Sequence, residues 1–98
     1  MLRIVPSPAA RGDLLNIRAY SIDQFSAEIA DVYFLGFDEA FNLLALHPMA
    51  GPERSDICKG LRCLVHRKHR IFYRVKKDMV VIVRVVHHSM DDRQVLRG

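Results

Sequence analysis

Two hydrophobic periods divide the chain: helical spacing dominates before Pro48, and strict alternation takes over after Gly60. The first five apolar-rich positions, LRIVP at 2–6, alternate and are β-branched, which predicts a short strand stopped by Pro6. Ser7-Pro8 then reads as a helix start, with Ser7 able to cap free backbone amides and Pro8 suited to the first helical position. Ala10, Leu14, Ile17 and Tyr20 recur at three- and four-residue intervals and predict a helix to about Phe25. Ser26 reads as the cap of a second helix. Its buried stripe is Ala30, Tyr33, Phe37, Phe41 (or Ala40) and Leu44. Glu28 and Asp31 suit its positive end and His47 its negative end, and Pro48 stops it.

Residues 48–60, PMAGPERSDICKG, are a loop punctuated by Pro and Gly. Three strand-like runs follow at 61–66, 70–75 and 80–87, the last two joined by a hairpin-length break at 76–79. The order β-α-α-β-β-β predicts an α+β protein, an antiparallel sheet packed on an N-terminal helical hairpin. One sheet face is then covered by the helices and the other lacks a covering element. Alternation places Arg62, Leu64 and His66, with Arg70, Phe72 and Arg74, on one side as the candidate open face. The last run, MVVIVRVVH, is apolar on both sides apart from Arg84 and its end, which predicts a central strand.

A chain of 98 residues predicts one domain, 1–98, and half of its residues are hydrophobic, enough for one core. No apolar run is long enough to span a membrane, and Pro6, Pro8 and Arg11 interrupt the N-terminus too early for a signal peptide, so a cytoplasmic protein is expected. Charge is divided unevenly. Residues 1–53 carry three Arg against seven Asp/Glu, a net −4; residues 54–98 carry twelve Lys/Arg against four Asp/Glu, a net +8. The basic half suits an acidic protein segment or a phosphate backbone. Cys58 and Cys63 lack tight metal or redox spacing and are expected to be free thiols, Cys63 in the core. Tyr20, Tyr33 and Tyr73 are expected in the core with each hydroxyl reaching a partner. His66 and His69 would lie on opposite faces of a strand, so neither a metal nor another cofactor is expected.

Taken in order, SPAARGDLLNIRAY, LALHP, GPERSDICKGLR, HRIFYRV and IVRVVHHSMD resemble the ParE toxins of the RelE/ParE superfamily of type II toxin–antitoxin systems. The resemblance spans essentially the whole chain. Its most specific pieces are Gly60-Leu61-Arg62, Phe72-Tyr73-Arg74, and Arg84 to His87 followed by Met90-Asp91. It implies the same fold and a bacterial cytosolic toxin neutralised by a ParD-like antitoxin with an acidic flexible segment, in a higher-order toxin–antitoxin oligomer. For the ParE branch the implied target is DNA gyrase; for the RelE branch it is message on the ribosome.

Chemistry separates the branches. Message cleavage through the RNA 2′-hydroxyl needs a base, a proton donor for the leaving oxygen, and cations on the phosphate. His87 stands near the position of such a group, but Asp91 and Asp92 follow it and would repel phosphate. His87 is therefore expected to bond Asp91, and Arg84 or Arg93 to pair with these carboxylates. A non-enzymatic toxin is expected, the alternatives being a RelE-like ribosome-dependent endoribonuclease or a toxin fold with another protein target. Arg62, Leu64, Arg70, Phe72, Arg74, Arg84, His87, Asp91 and Arg93 are the candidate target-binding residues, with a flexible tail over 91–98.

Overall fold

The computed structural model describes residues 1–97. Strand β1 (Arg3–Pro6) leads into helices α1 (Pro8–Gln24) and α2 (Ala27–Leu46). Strands β2 (Arg62–His66), β3 (His69–Lys76) and β4 (Met79–His87) follow, then a short helix α3 (Asp92–Arg97). The sheet order is β1-β4-β3-β2, so the doubly apolar last strand is internal. β2, β3 and β4 pair antiparallel, whereas β1 runs parallel to β4 from Arg3 beside Met79 to Pro6 beside Ile82. The sheet is thus mixed, since strands distant in sequence are not tied by the tight turn that enforces antiparallel pairing.

Both predicted caps form. The Ser7 hydroxyl accepts the Ala10 N–H at 3.0 Å and the Ser26 hydroxyl accepts the Ile29 N–H at 3.1 Å. Only Phe25 and Ser26 separate the helices, and Arg18 clasps Asp31 across the hairpin at 2.6 Å. The second stripe buries as its spacing predicts: Ala30, Phe37, Ala40 and Leu44 are buried, with Tyr33 and Phe41 partly so. With Ala10 they pack on Ile71, Tyr73, Val80, Ile82 and Val85 of the sheet. Tyr20 departs from expectation and is exposed, while Ser21 is buried with its hydroxyl on the Ile17 carbonyl. At about 100° per residue, position 20 lies about 80° off the line of Ala10, and position 21 about 20°.

β1 is shorter than β4, which leaves an unpaired stretch of the β4 edge. The first turns of α1 supply the missing partners. Ser7 donates its N–H to the Ile82 carbonyl and its hydroxyl to the Val83 carbonyl, each at 2.8 Å, and Asp13 accepts the Val85 N–H at 2.9 Å.

Two expectations about the outer face fail. The turn at Arg67-Lys68 sets His66 opposite His69, so even-numbered residues of β2 pair with odd-numbered residues of β3. Side chains directly opposite share a face. Arg62 and Leu64, opposite Tyr73 and Ile71, therefore point toward the helices, while Arg70, Phe72 and Arg74 point away with Leu61, Cys63 and Val65. Nor is the outer face bare. Asp91 accepts the Arg93 N–H at 3.1 Å and starts α3, whose Val95 and Leu96 pack on Leu61, Cys63, Phe72 and Val86. The predicted loose tail is a docked helix, apart from residue 98, which lies outside the described residues.

Candidate functional site

The candidate arginines are held individually. Arg62 donates from Nε to the Gly51 carbonyl at 2.7 Å, reaches the Met49 carbonyl at 3.3 Å and pairs with Glu53 at 3.4 Å. Beside it the buried Tyr73 hydroxyl donates to the Pro48 carbonyl and accepts the Gly51 N–H, both at 2.8 Å. These two side chains fasten the 48–53 loop to the sheet. A Cβ at Gly51 would come within 2.5 Å of the Cys63 carbonyl oxygen, so the loop also needs glycine there. Leu64 belongs to the core beneath the helices, and Phe72 is fully enclosed on the other face. Neither is an exposed anchor.

A chain of ion pairs closes α3 over Phe72. Arg93 meets Asp56 at 3.2 Å, and Asp56 takes Arg54 through two bonds of 3.0 Å. Arg54 also reaches Asp92 at 3.2 Å, and Asp92 takes Arg70 at 3.4 Å. The Arg54 hydrogen bonds hold the Asp56 carboxyl at about 2, below its usual value, and raise Arg54 in turn. The Arg54 guanidinium lies 5.8 Å from the Phe72 ring centre, and Arg70 also donates to the His88 carbonyl at 3.0 Å. The expected pairing of Arg84 with the tail carboxylates is not the one found. Arg84 bonds both oxygens of Asp13 at 2.7 and 2.8 Å, because the uncovered β4 edge brings α1 close. That pairing raises the Arg84 pKa.

His87 also has a different partner from the expected one. Its Nδ1 accepts the Ser89 N–H at 3.2 Å and lies 2.7 Å from the Ser89 hydroxyl, while Asp91 serves as the cap of α3. His87 lines a cleft of about 280 Å³ with Asp13, Asn16, His69, Arg84 and Met90. His66 and His69 share a face rather than opposing ones, since the tight turn makes them cross-strand partners. Both abut the Phe37 ring, at 4.9 and 5.7 Å between centres. His69 Nδ1 lies 2.6 Å from the Tyr33 hydroxyl, and burial lowers the His69 pKa to about 4, helped by His87, His66 and His88. Burial also lowers His66 and His87. Among the described residues no three His, Cys, Asp or Glu side chains are placed to hold a metal ion. Both thiols are free, Cys58 exposed and Cys63 buried.

Arg74 stands apart. Its guanidinium donates to the Lys59 carbonyl at 2.9 Å and to Cys58 Sγ at 2.8 Å, neither of them a carboxylate. A second surface lies on the hairpin, where Leu15, Phe25, Ile29, Val32 and Leu35 are exposed. Sequence reasoning missed Asp13, Arg54, Asp56 and the Tyr33–His69 pair; apart from the local Arg54–Asp56 bond, their contacts join distant segments. The start of α3 was within reach, since Asp91 precedes Val95 and Leu96 at capped-helix spacing.

A helical hairpin on a four-stranded sheet, with paired arginines and exposed apolar helix surface, defines a small α+β protein. Residues 4–92 match the family model for the ParE toxin of type II toxin-antitoxin system, parDE, and the chain belongs to that family. It is 32% identical over 90 residues to Toxin ParE1 of Mycobacterium tuberculosis, covering 91% of this chain and 92% of that one. It is 33% identical over 87 residues to Toxin ParE1 of Caulobacter vibrioides, covering 89% and 90%. Its fold resembles a solved structure of the chromosomal ParDE toxin–antitoxin system from P. aeruginosa, with a TM-score of 0.75 and 22% identity over 89% of this chain and 96% of that one. No helix among the described residues is long and apolar enough to cross a membrane.

Proposed function

We propose that this toxin acts in the bacterial cytoplasm by binding DNA gyrase on DNA, with no chemistry of its own, and is neutralised by a ParD-like antitoxin in a higher-order assembly. The observation that carries a binding role is the engagement of the groups a nuclease would use. Of the phosphate clamps a nuclease would need, Arg62 and Arg84 are paired with carboxylates and Arg74 donates to the Lys59 carbonyl and Cys58 Sγ, while His87 Nδ1 is taken by Ser89. A phosphate would have to displace carboxylates from Arg62 and Arg84, and at Arg84 doing so strips Asp13 of its cation. The exposed apolar hairpin suits an amphipathic segment of the antitoxin, which folds as it binds. Purified protein is tested with gyrase and supercoiled plasmid, and in parallel with ribosomes and message. Gyrase inhibition that survives His87→Ala is expected. Message cleavage abolished by His87→Ala, with gyrase unaffected, overturns the proposal.

A further inference from the structure

We propose that the uncovered part of the outer sheet face, centred on Arg74, is a receptor for the phosphate backbone of duplex DNA. This site rests on the gyrase–DNA reading above and adds a direct contact between the toxin and DNA. Arg54, Arg62, Arg70, Arg84 and Arg93 each lie within 3.4 Å of a carboxylate, whereas among the described residues Arg74 has no such pair. Its position is nevertheless fixed by the Lys59 carbonyl and Cys58 Sγ. Gly60 makes room: it adopts a φ of +83°, and a Cβ there would sit 3.2 Å from the Arg74 guanidinium. A cation that is placed but not neutralised is ready for an anion.

Neighbouring charges extend the site. Arg74 pairs across the ladder with Val81, Lys76 with Met79, and Met79 with Arg3, which puts all three cations on one face. Lys59 and Lys76 are exposed, and Asp78 offsets only Arg3, at 3.9 Å. Arg74 and Lys76 are two strand residues apart, about 6.6 Å. The apolar part of this face, Val5, Met79 and Val81, is half-buried, and among the described residues no exposed large hydrophobic side chain lies on β1, β3 or β4. A protein partner needs an apolar anchor between its charges. Fixed cations without one suit a phosphate backbone.

The test is fluorescence anisotropy of the full chain with a duplex of about 20 base pairs, titrated from about 50 to about 200 mM salt. Lys59→Glu/Lys76→Glu, which alters only exposed side chains, is expected to weaken binding at least about tenfold, and Arg74→Gln to reduce the salt slope by about one. Arg67→Glu/Lys68→Glu makes the same charge change at the opposite end of β3 and is expected to stay within about twofold of the original. Circular dichroism and antitoxin binding confirm folding of each variant. Equal loss in both double variants, tighter binding of single-stranded RNA or polyglutamate than of the duplex, or no duplex binding each overturn the proposal. Gyrase inhibition is scored separately. Inhibition without duplex binding removes this site alone; duplex binding without inhibition removes the gyrase reading and leaves the site.

Discussion

The two faces of one sheet are held by different physics. Toward the helices, Phe37, Leu44, Ile71, Tyr73, Val80 and Ile82 form a core of large, fully buried side chains. Toward α3 the buried set shrinks to Leu61, Cys63, Phe72 and Val86, and a run of five charged side chains from Arg93 to Arg70 closes the edge. Apolar packing gains from area and is indifferent to moderate salt. Exposed ion pairs contribute little each and are screened. The inner face therefore sets whether the chain folds, and the outer face sets how firmly α3 stays down.

Removing the Phe37 ring is the largest test of that contrast. Phe37→Ala opens a cavity between α2 and the sheet and should cost about 3–5 kcal/mol by urea unfolding, enough to unfold a marginal chain. A loss below about 1 kcal/mol would mean that the hairpin does not depend on this core.

Acid probes the inner face at His69. The His69 pKa is lowered from 6.5 to about 4 by burial, so between those values the unfolded chain binds the extra proton. Stability from neutral His69 is complete above about pH 6.5 and falls progressively toward about pH 4, by roughly 2–3 kcal/mol in total. His66 and His87 act in the same direction. Tyr33→Phe removes the hydroxyl 2.6 Å from Nδ1 and should cost about 1–2 kcal/mol at neutral pH. Unfolding measured at pH 7 and pH 5 checks both. An unchanged midpoint across that range would place His69 in water.

The outer face should yield to a smaller change. Asp92→Asn breaks the links to Arg54 and Arg70 and is expected to lower global stability by about 1 kcal/mol or less. Its effect should be local. Cys63, buried under α3, should react severalfold faster with a thiol reagent while exposed Cys58 keeps its rate. Added salt should speed Cys63 in the original chain and do much less in the variant. Equal Cys63 rates in the two chains would show that Val95 and Leu96 hold the helix without help from the charges.

Local chemistry determined most of the skeleton. Ser7-Pro8 and Ser26 set the helix starts, the Ala30–Leu44 stripe set the buried face of α2, and the doubly apolar last run set β4 inside the sheet. These depend on periodicity and on side chains bonding within a few residues, which a linear sequence carries directly. Family membership was legible for the same reason, because the motifs keep their order along the chain. Only the folded chain decided the faces of Arg62 and Leu64, since one two-residue turn sets the register and a shift of one exchanges every side chain. Partner choice among the charges was equally out of reach. Asp13 takes Arg84 from 71 residues away because β1 stops short of the end of β4, and Asp92 takes Arg70 because α3 lands on Phe72. Arg74, whose sequence looks like that of its neighbours, is left uncompensated by the same placement. Coulomb attraction acts on distance in space, and only the tertiary fold assigns that distance.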